Sequence, residues 1–394
     1  MENISGNKRS SLLVFILTVG VFGIINTEMG VVGILPQIAE TFQVSVPTAG
    51  WTVSAFALIV AVSGPVMPLL FSGINRKRVM LLALGIFVIS NIVSMITTNF
   101  TIILIARIIP AFLHPVYVSM AFSVAASSVP REQAPKAVSR IFIGVSAGMV
   151  LGVPVTSLIA SEASFSMAML FFAVINTLVL IAAIFLVPSI PVREKLSYGA
   201  QINVLRKTIL WNSLIAVTFI NGAMFGFFSF MSDYLRGITG MTFRLISIML
   251  FIYGGANIIG NLIAGKLLIQ KPVKTIKAIP VILIVVYASL FFFGPYFIAM
   301  GLIILILGIL TGIASNNCQY MITQVAPEAP DFANGLFLTS TNLGTAVGTA
   351  CCGMFITAFN TRYAVIGTLI FLVLGMIFIY LRQNNEKKSR QIAV

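Results

Sequence analysis

The feature that most restricts this chain is a succession of apolar stretches, each about 20 residues or longer, separated by short connections. An α-helix rises about 1.5 Å per residue, so roughly 20 apolar residues cross the hydrocarbon core of a bilayer. Applied along the 394 residues, that ruler marks twelve candidate spans. They lie near 11–35, 48–71, 79–97, 101–126, 137–161, 165–188, 210–233, 245–269, 276–295, 298–323, 332–358 and 362–381. Within lipid every backbone N–H and C=O needs an internal partner, so each span is predicted helical and the chain an all-α membrane protein. None of the connections has room for a soluble catalytic domain.

Charge supports that reading and orients it. Charged residues make up 9% of the chain, against roughly 25% in soluble domains. The high hydrophobic fraction equally excludes disorder. A net charge of +14 would suggest nucleic acid in a soluble protein, but here the basic residues are distributed by loop. With the N-terminus inside, the cytoplasmic segments hold Lys8 and Arg9; Arg76, Lys77 and Arg78; and Arg131, Lys136 and Arg140. They also hold Arg193, Lys195, Arg206 and Lys207; Lys266, Lys271, Lys274 and Lys277; and Arg382, Lys387, Lys388 and Arg390. Arg236, Arg244 and Arg362 fall outside, and Arg107 lies within a span. This asymmetry follows the positive-inside rule and predicts cytoplasmic N- and C-termini. The basic start resembles a signal peptide, but its apolar run continues past Gly30 without a small-residue cleavage site, as a retained first span would.

The stretch from Val187 to Trp211, with Pro188, Pro191, Tyr198 and four basic residues, divides the chain nearly in half. The predicted organisation is a six-helix bundle over 1–190, a cytoplasmic linker over 191–209, and a second six-helix bundle with a short basic tail over 210–394. The halves echo one another. Span 5 carries Gly144, Gly148 and Gly152, and span 11 carries Gly344, Gly348 and Gly353. Glycines four apart make a flat strip that lets another helix approach closely. VPREQAPKAVSRIF before span 5 matches VAPEAPDFANGLF before span 11, and FSGINRKRV after span 2 matches IAGKLLIQKPVK after span 8. Repeated halves around a central site are the mark of an alternating-access transporter.

Specific motifs strengthen this. The stretch NTEMGVVGILPQIAETFQVSVPTAGWTVSAFAL joins a Thr-Glu pair in span 1 to a Pro exit and an Ala-Gly start of span 2. ARIIPAFLHPVY in span 4 and Gly148–Pro154 in span 5 add two more elements. Together they resemble the major facilitator superfamily, in its drug:proton antiporter branch, near the arabinose- and sugar-efflux permeases. The resemblance implies the two-bundle major facilitator fold, proton coupling, export of a small solute, and a cavity lined by spans 1, 4, 7 and 10. Two departures stand out. Asn75 occupies the place of an expected acid in the loop after span 2, implying a cytoplasmic latch that is weaker or built differently. In span 4, Ala111 replaces a common Gly, and Pro115 follows His114, predicting a bent backbone.

An ionisable group inside a span is costly and is a functional candidate by default. Glu28 lies about 25 Å along span 1, and Arg107 about 9 Å down from the outer end of span 4, by the helical rise. Both reach the outer half of the bilayer, so Glu28 and Arg107 are expected to interact electrostatically. That arrangement fits a proton-coupling carboxylate and also a static ion pair. His114, seven residues after Arg107, fits a proton relay or a neutral side chain hydrogen-bonded to a neighbouring helix. The polar and aromatic candidates for solute contact are Asn26 and Thr27 in span 1; Asn221, Phe225 and Ser229 in span 7; and Asn316, Gln319 and Tyr320 in span 10. Interhelical hydrogen bonding uses the same groups.

With one histidine, Cys318 and the adjacent Cys351 and Cys352 in apolar stretches, and no phosphate-binding signature, no metal, cofactor, disulfide framework or enzymatic activity is expected. The expected protein is a monomeric secondary transporter of the bacterial inner membrane. It would exchange protons for a small organic solute such as a sugar, nucleoside or drug. A symporter or facilitator importing a sugar or nucleoside, and a non-transporting membrane sensor, are the alternatives.

Overall fold

A computed structural model describes residues 2–44, 46–191 and 198–392. Arg193 and Lys195 lie outside the described residues, as do the side chains of Lys8, Arg9, Tyr198, Lys387, Lys388 and Arg390. The chain divides between Tyr198 and Gly199 into two units. The first begins with α1 (Glu2–Gly30), which passes through a 3-10 turn (Val31–Ile34) into α2 (Leu35–Phe42). Then come α3 (Val46–Ala49), α4 (Trp51–Ser63), α5 (Met67–Phe71), α6 (Arg76–Ile96), α7 (Phe100–Ser127), α8 (Ala134–Glu162) and α9 (Phe165–Leu186). The short α10 (Tyr198–Ile202) lies at the junction. The second unit contains α11 (Thr208–Ser229), α12 (Met231–Gly237), α13 (Phe243–Gln270), α14 (Pro272–Phe293), α15 (Phe297–Thr323), α16 (Pro330–Ala358) and α17 (Ala364–Ile392).

Ten of these helices are long and apolar enough to cross a membrane. The two remaining expected spans differ from them for local reasons. Span 11 is α16, a 29-residue helix diluted by Asn, Ser, Thr and Gly. Span 2 is not continuous: it is broken into α3, α4 and α5. Pro65 supplies no N–H to continue the helical hydrogen bonds, so α4 stops at Ser63 although Gly64 keeps helical dihedrals. By contrast, α7 runs unbroken through Pro110 and Pro115. Its N-terminus is fixed by Asn99, whose side chain accepts hydrogen bonds from Thr101 N (2.8 Å) and Ile102 N (3.4 Å). Because this cap anchors the helix that carries Arg107 and His114, Asn99→Ala is expected to lower stability by about 1 kcal/mol, and Asn99→Asp to preserve it. Thermal denaturation of the detergent-solubilised variants measures both.

Apolar side chains gain little by leaving lipid, so helix pairs here are held by close packing and interhelical hydrogen bonds. The glycine strips show how. In the first unit α1 packs on α8, and in the second α11 packs on α16. A Cβ at Gly144 would overlap the Thr18 carbonyl oxygen, and one at Gly344 would overlap that of Thr218. A Cβ at Gly148 would lie 3.1 Å from Asn26 N, and one at Gly226 would lie 2.7 Å from the Gly348 carbonyl carbon. The same contacts therefore recur at positions 200 apart (18 and 218, 26 and 226, 144 and 344, 148 and 348). The third expected pair does not follow this register. Gly152 faces Asn26, but its counterpart is the buried Cys352, and Gly353 lies off the strip, with Phe230 Cζ at 3.4 Å as its nearest neighbour. A five-residue step turns Gly353 away from the face that carries Gly344 and Gly348.

The loop after span 2 is tied to the end of α9 by Asn75 and its neighbours. Asn75 caps α6 by accepting from Lys77 N (3.0 Å) and donates through Nδ2 to Ser189 Oγ (2.8 Å). Arg76 N donates to Ile190 O (3.1 Å), and Lys77 Nζ to Ile184 O (2.7 Å) near the helix C-terminus, where a cation is favoured. An amide at position 75 thus makes the tie with hydrogen bonds in place of an acid's charge.

In the second unit Lys207, before α11, donates to Val325 O (2.7 Å) and pairs with Glu328 in the loop before α16. Partial burial pushes the Glu328 carboxyl up. The hydrogen bond from Lys207, a backbone hydrogen bond and the Lys207 charge outweigh that, so the group sits below its usual value of 4.5. A depressed carboxylate stabilises the fold above its unfolded value and loses that contribution as pH falls through the lowered one. Both side chains are 41% exposed, so water screens the pair to under about 1 kcal/mol. Glu328→Gln is expected to remove that small increment at neutral pH and to flatten the acid limb of thermal stability below pH 4.5, as a pH series of melting curves records.

Candidate functional site

Glu28 stands two residues before α1 gives way to the 3-10 turn Val31–Ile34. A change from α to 3-10 geometry alters which N–H groups reach the last carbonyls of the helix. Arg107 of α7 serves those carbonyls. Its Nη1 donates to Thr27 O (3.3 Å), its Nη2 to Glu28 O (3.4 Å), and its Nε to Thr52 O on α4 (2.8 Å). The guanidinium also lies over the Phe56 ring, 5.2 Å from its centroid. The buried Arg107 thus clasps α1 and α4 through backbone oxygens.

The Glu28 carboxylate turns instead to His114. Oε2 lies 3.1 Å from His114 Nε2, within ion-pair distance but not aligned as a hydrogen bond. The Glu28 side chain is 12% exposed and the imidazole is buried, edge-on to Phe56 with ring centroids 5.9 Å apart. Among the described residues His114 Nδ1 has no hydrogen-bond partner. The three ionisable candidates therefore converge on one corner formed by α1, α4 and α7. Glu28 and Arg107 meet there through the Glu28 backbone, not through a carboxylate–guanidinium bridge. The corner can hold a proton on the carboxylate, with an imidazole nitrogen within reach of the same oxygen.

The other two candidates on α1 face different neighbours, because successive helical residues point about 100° apart. Asn26 is buried against α8 near Gly152, and its amide has no hydrogen-bond partner among the described residues. Thr27 Oγ1 donates to Gly23 O (2.9 Å) and accepts from Asn176 Nδ2 (2.9 Å) on α9. Asn176, which also donates to Phe172 O (2.9 Å), was not singled out in the sequence, where it is one amide in an otherwise apolar span.

In the second unit most of the expected solute contacts join helices. Asn221 donates to Thr341 O (2.7 Å) and Thr345 Oγ1 (3.0 Å), both on α16. Ser229 donates to Phe225 O (2.8 Å) and lies 3.1 Å from Thr349 Oγ1. Asn316 donates to Asn261 Oδ1 on α13 (2.8 Å) and to Gly312 O (2.9 Å). Gln319 donates to Asn334 Oδ1 on α16 (2.8 Å). Phe225 and Tyr320 are half-buried, and Phe225 packs edge-on to Phe228 at 6.3 Å. Sequence reasoning passed over Phe228, Tyr253, Asn257 and Asn261, although the last two stand at helical i, i+4 spacing within an apolar run. Phe228 stacks on Tyr253 at 5.1 Å, and Tyr253 Oη donates to Thr311 Oγ1 (3.0 Å). No group of three or more His, Cys, Asp or Glu that could hold a metal occurs among the described residues.

The chain is similar to known proteins over almost its whole length. The model of the Major Facilitator Superfamily matches residues 16–349 and 302–394. The inner membrane transport protein YdhP of Escherichia coli is 27% identical over 378 residues, covering 96% of this chain and 97% of that protein. A protein of Helicobacter pylori named "Probable sugar efflux transporter" is 27% identical over 346 residues, covering 87% of this chain and 88% of its own. Among solved structures, the human organic anion transporter MFSD10 superposes with a TM-score of 0.79 at 14% identity, covering 94% of this chain and 99% of that one. At that identity the likeness concerns the fold alone.

Proposed function

The chain belongs to the Major Facilitator Superfamily, and on that premise we propose that it exports a small organic solute across the bacterial inner membrane in exchange for protons. It is a multi-pass membrane transporter and not an enzyme. In this reading it is monomeric and has twelve spans, with α3–α5 and α16 completing the ten long apolar helices. Its two six-helix bundles are joined by the linker over 191–209, and both termini are cytoplasmic. The named sugar efflux relative supports a sugar-like solute.

The observation that carries proton coupling is the placement of the Glu28 carboxylate, 3.1 Å from His114 Nε2 in a corner clasped by Arg107. Glu28 takes up a proton at Oε2 when the site opens to the outside and releases it when the site opens to the cytoplasm, with His114 Nε2 as the adjoining station. Ionised, the carboxylate is balanced by the nearby guanidinium. Protonated, it removes a charge whose movement within the low-dielectric bundle is costly. Solute and proton then occupy the transporter in alternation. Of the solute-contact candidates, Asn26, Phe225 and Tyr320 keep that role here. Thr27, Asn221, Ser229, Asn316 and Gln319 hold the helices that shape the site.

The test is solute flux in proteoliposomes under imposed pH gradients of either sign. Antiport drives solute against the proton gradient and reverses with it. Flux that follows the proton gradient, or ignores it, overturns the reading.

A further inference from the structure

We propose that Phe228, Tyr253 and Asn257 form the solute-recognition site of the second unit, and that this site takes an uncharged ring-bearing solute with hydroxyl groups, a sugar or a nucleoside. The inference rests on the transporter reading but not on its proton coupling.

The internal register leads to this site. The contacts of Thr18 and Asn26 with the α8 strip recur for Thr218 and Gly226 with the α16 strip, which sets Phe228 where the first unit has Glu28. The neighbouring helix pair repeats with a shift one residue longer. In the first unit Arg107 of α7 bonds Thr52 O of α4. In the second, a Cβ on Gly308 of α15 would overlap Tyr253 O of α13. By that shift the positions matching Arg107 and His114 are Gly308 and Ser315. The corner that is ionisable in one unit is thus aromatic and neutral in the other.

Its geometry suits a ring. The Phe228 and Tyr253 rings stack at 5.1 Å with planes 27° apart, and Phe228 is half-buried. Tyr253 is held by its hydroxyl on Thr311, which in turn donates to Leu307 O (2.7 Å). One helical turn beyond Tyr253, the half-buried Asn257 belongs to a row of carboxamides. Asn316 Nδ2 donates to Asn261 Oδ1 (2.8 Å), and Asn261 Nδ2 donates to Asn257 Oδ1 (3.2 Å). Hydrogen bonds running in one sense along a row polarise one another. The row is rigid, because Cβ atoms at Gly260, Gly308 and Gly312 would all overlap carbonyl oxygens across the α13–α15 contact.

An aromatic face stacks on the flat or chair face of a ring, while a carboxamide exchanges hydrogen bonds with hydroxyls. A cationic solute would need a carboxylate to offset its lost hydration. The charged residues of α13, Arg244 and Lys266, stand more than two turns from Asn257, and α15 carries none.

The experiment is a thermal-shift titration of the purified protein with L-arabinose and uridine as uncharged ring probes, and tetraphenylphosphonium as the cationic comparison. One or both ring probes are expected to raise the melting temperature in a saturable way. Loss of a stacked ring should weaken that binding about fivefold. The expected pattern is that Phe228→Leu, chosen to keep apolar volume and fold, shows this weakening, and Phe228→Tyr does not. Asn257→Ala weakens binding of the same probe, and Glu28→Gln still binds it, separating this site from proton coupling. Wild-type affinity in Phe228→Leu, stabilisation by tetraphenylphosphonium alone, or stabilisation by none of the three overturns the proposal.

Discussion

Glu28→Gln is expected to abolish proton-driven accumulation of solute while leaving the protein folded and able to exchange solute for solute. Glutamine keeps the shape of the side chain but has no proton to exchange. The clasp of Arg107 survives the change, because its partners on α1 are the Thr27 and Glu28 carbonyls and not the carboxylate. What the variant loses is the ionisable partner 3.1 Å from His114 Nε2. A carrier exchanging one proton per solute can sustain about a tenfold solute gradient per pH unit, since one unit is worth about 1.4 kcal/mol. In proteoliposomes the wild type should approach that gradient and the variant should only equalise concentrations. Counterflow of labelled solute against unlabelled solute should persist in both. Uphill accumulation in Glu28→Gln under an imposed pH gradient would remove Glu28 from the coupling step.

The membrane character and the ionisable corner were legible in the sequence because both depend on scarcity. Few charges lie in the apolar runs, so Glu28, Arg107 and His114 stand out, and helical rise alone sets Glu28 and Arg107 at matching depth. Depth says nothing of direction, however. The approach of Arg107 to backbone oxygens follows from the 3-10 turn after Gly30, and exposed carbonyls leave no side-chain signature. The same limit explains Asn26 and Thr27. Neighbours in sequence, they belong to different helix contacts, one against α8 and the other against α9.

Span 2 shows a different loss. Hydropathy averaged over 48–71 is blind to a single missing N–H, although Gly64-Pro65 was visible as a breaker. In the second unit, attention to spans 7 and 10 drew notice away from α13, where Asn257 and Asn261 share one face. Their partner Asn316 was identified as a solute contact, but Asn261 receives its amide. A polar residue within a span signals that something polar lies opposite, and cannot by itself distinguish a solute from another helix.

Gly348→Val is expected to be the most destabilising of the glycine substitutions, costing about 3 kcal/mol or more. A Cβ there would run into the carbonyl oxygen, carbonyl carbon and Cα of Gly222, all backbone, so no rotamer change relieves it. The α11 and α16 axes must separate, and the hydrogen bonds of Asn221 to Thr341 and Thr345, with that between Ser229 and Thr349, open with them. Lipid supplies no compensating hydrophobic force between helices. Gly148→Val in the first unit should cost less, because its nearest obstacle is the Ile25 side chain, with Cβ at 2.8 Å, before the Asn26 backbone nitrogen at 3.1 Å. Gly353→Val should cost little, since only the Phe230 ring stands at 3.4 Å, and Gly85→Ala meets nothing within 4 Å. Melting temperatures in detergent should therefore fall in the order Gly85→Ala, Gly353→Val, Gly148→Val, Gly348→Val. A Gly348→Val protein that melts with the Gly353→Val control would mean that α11 and α16 do not meet backbone to backbone. The repeat register that sets Phe228 at the position matching Glu28 would then lose its anchor.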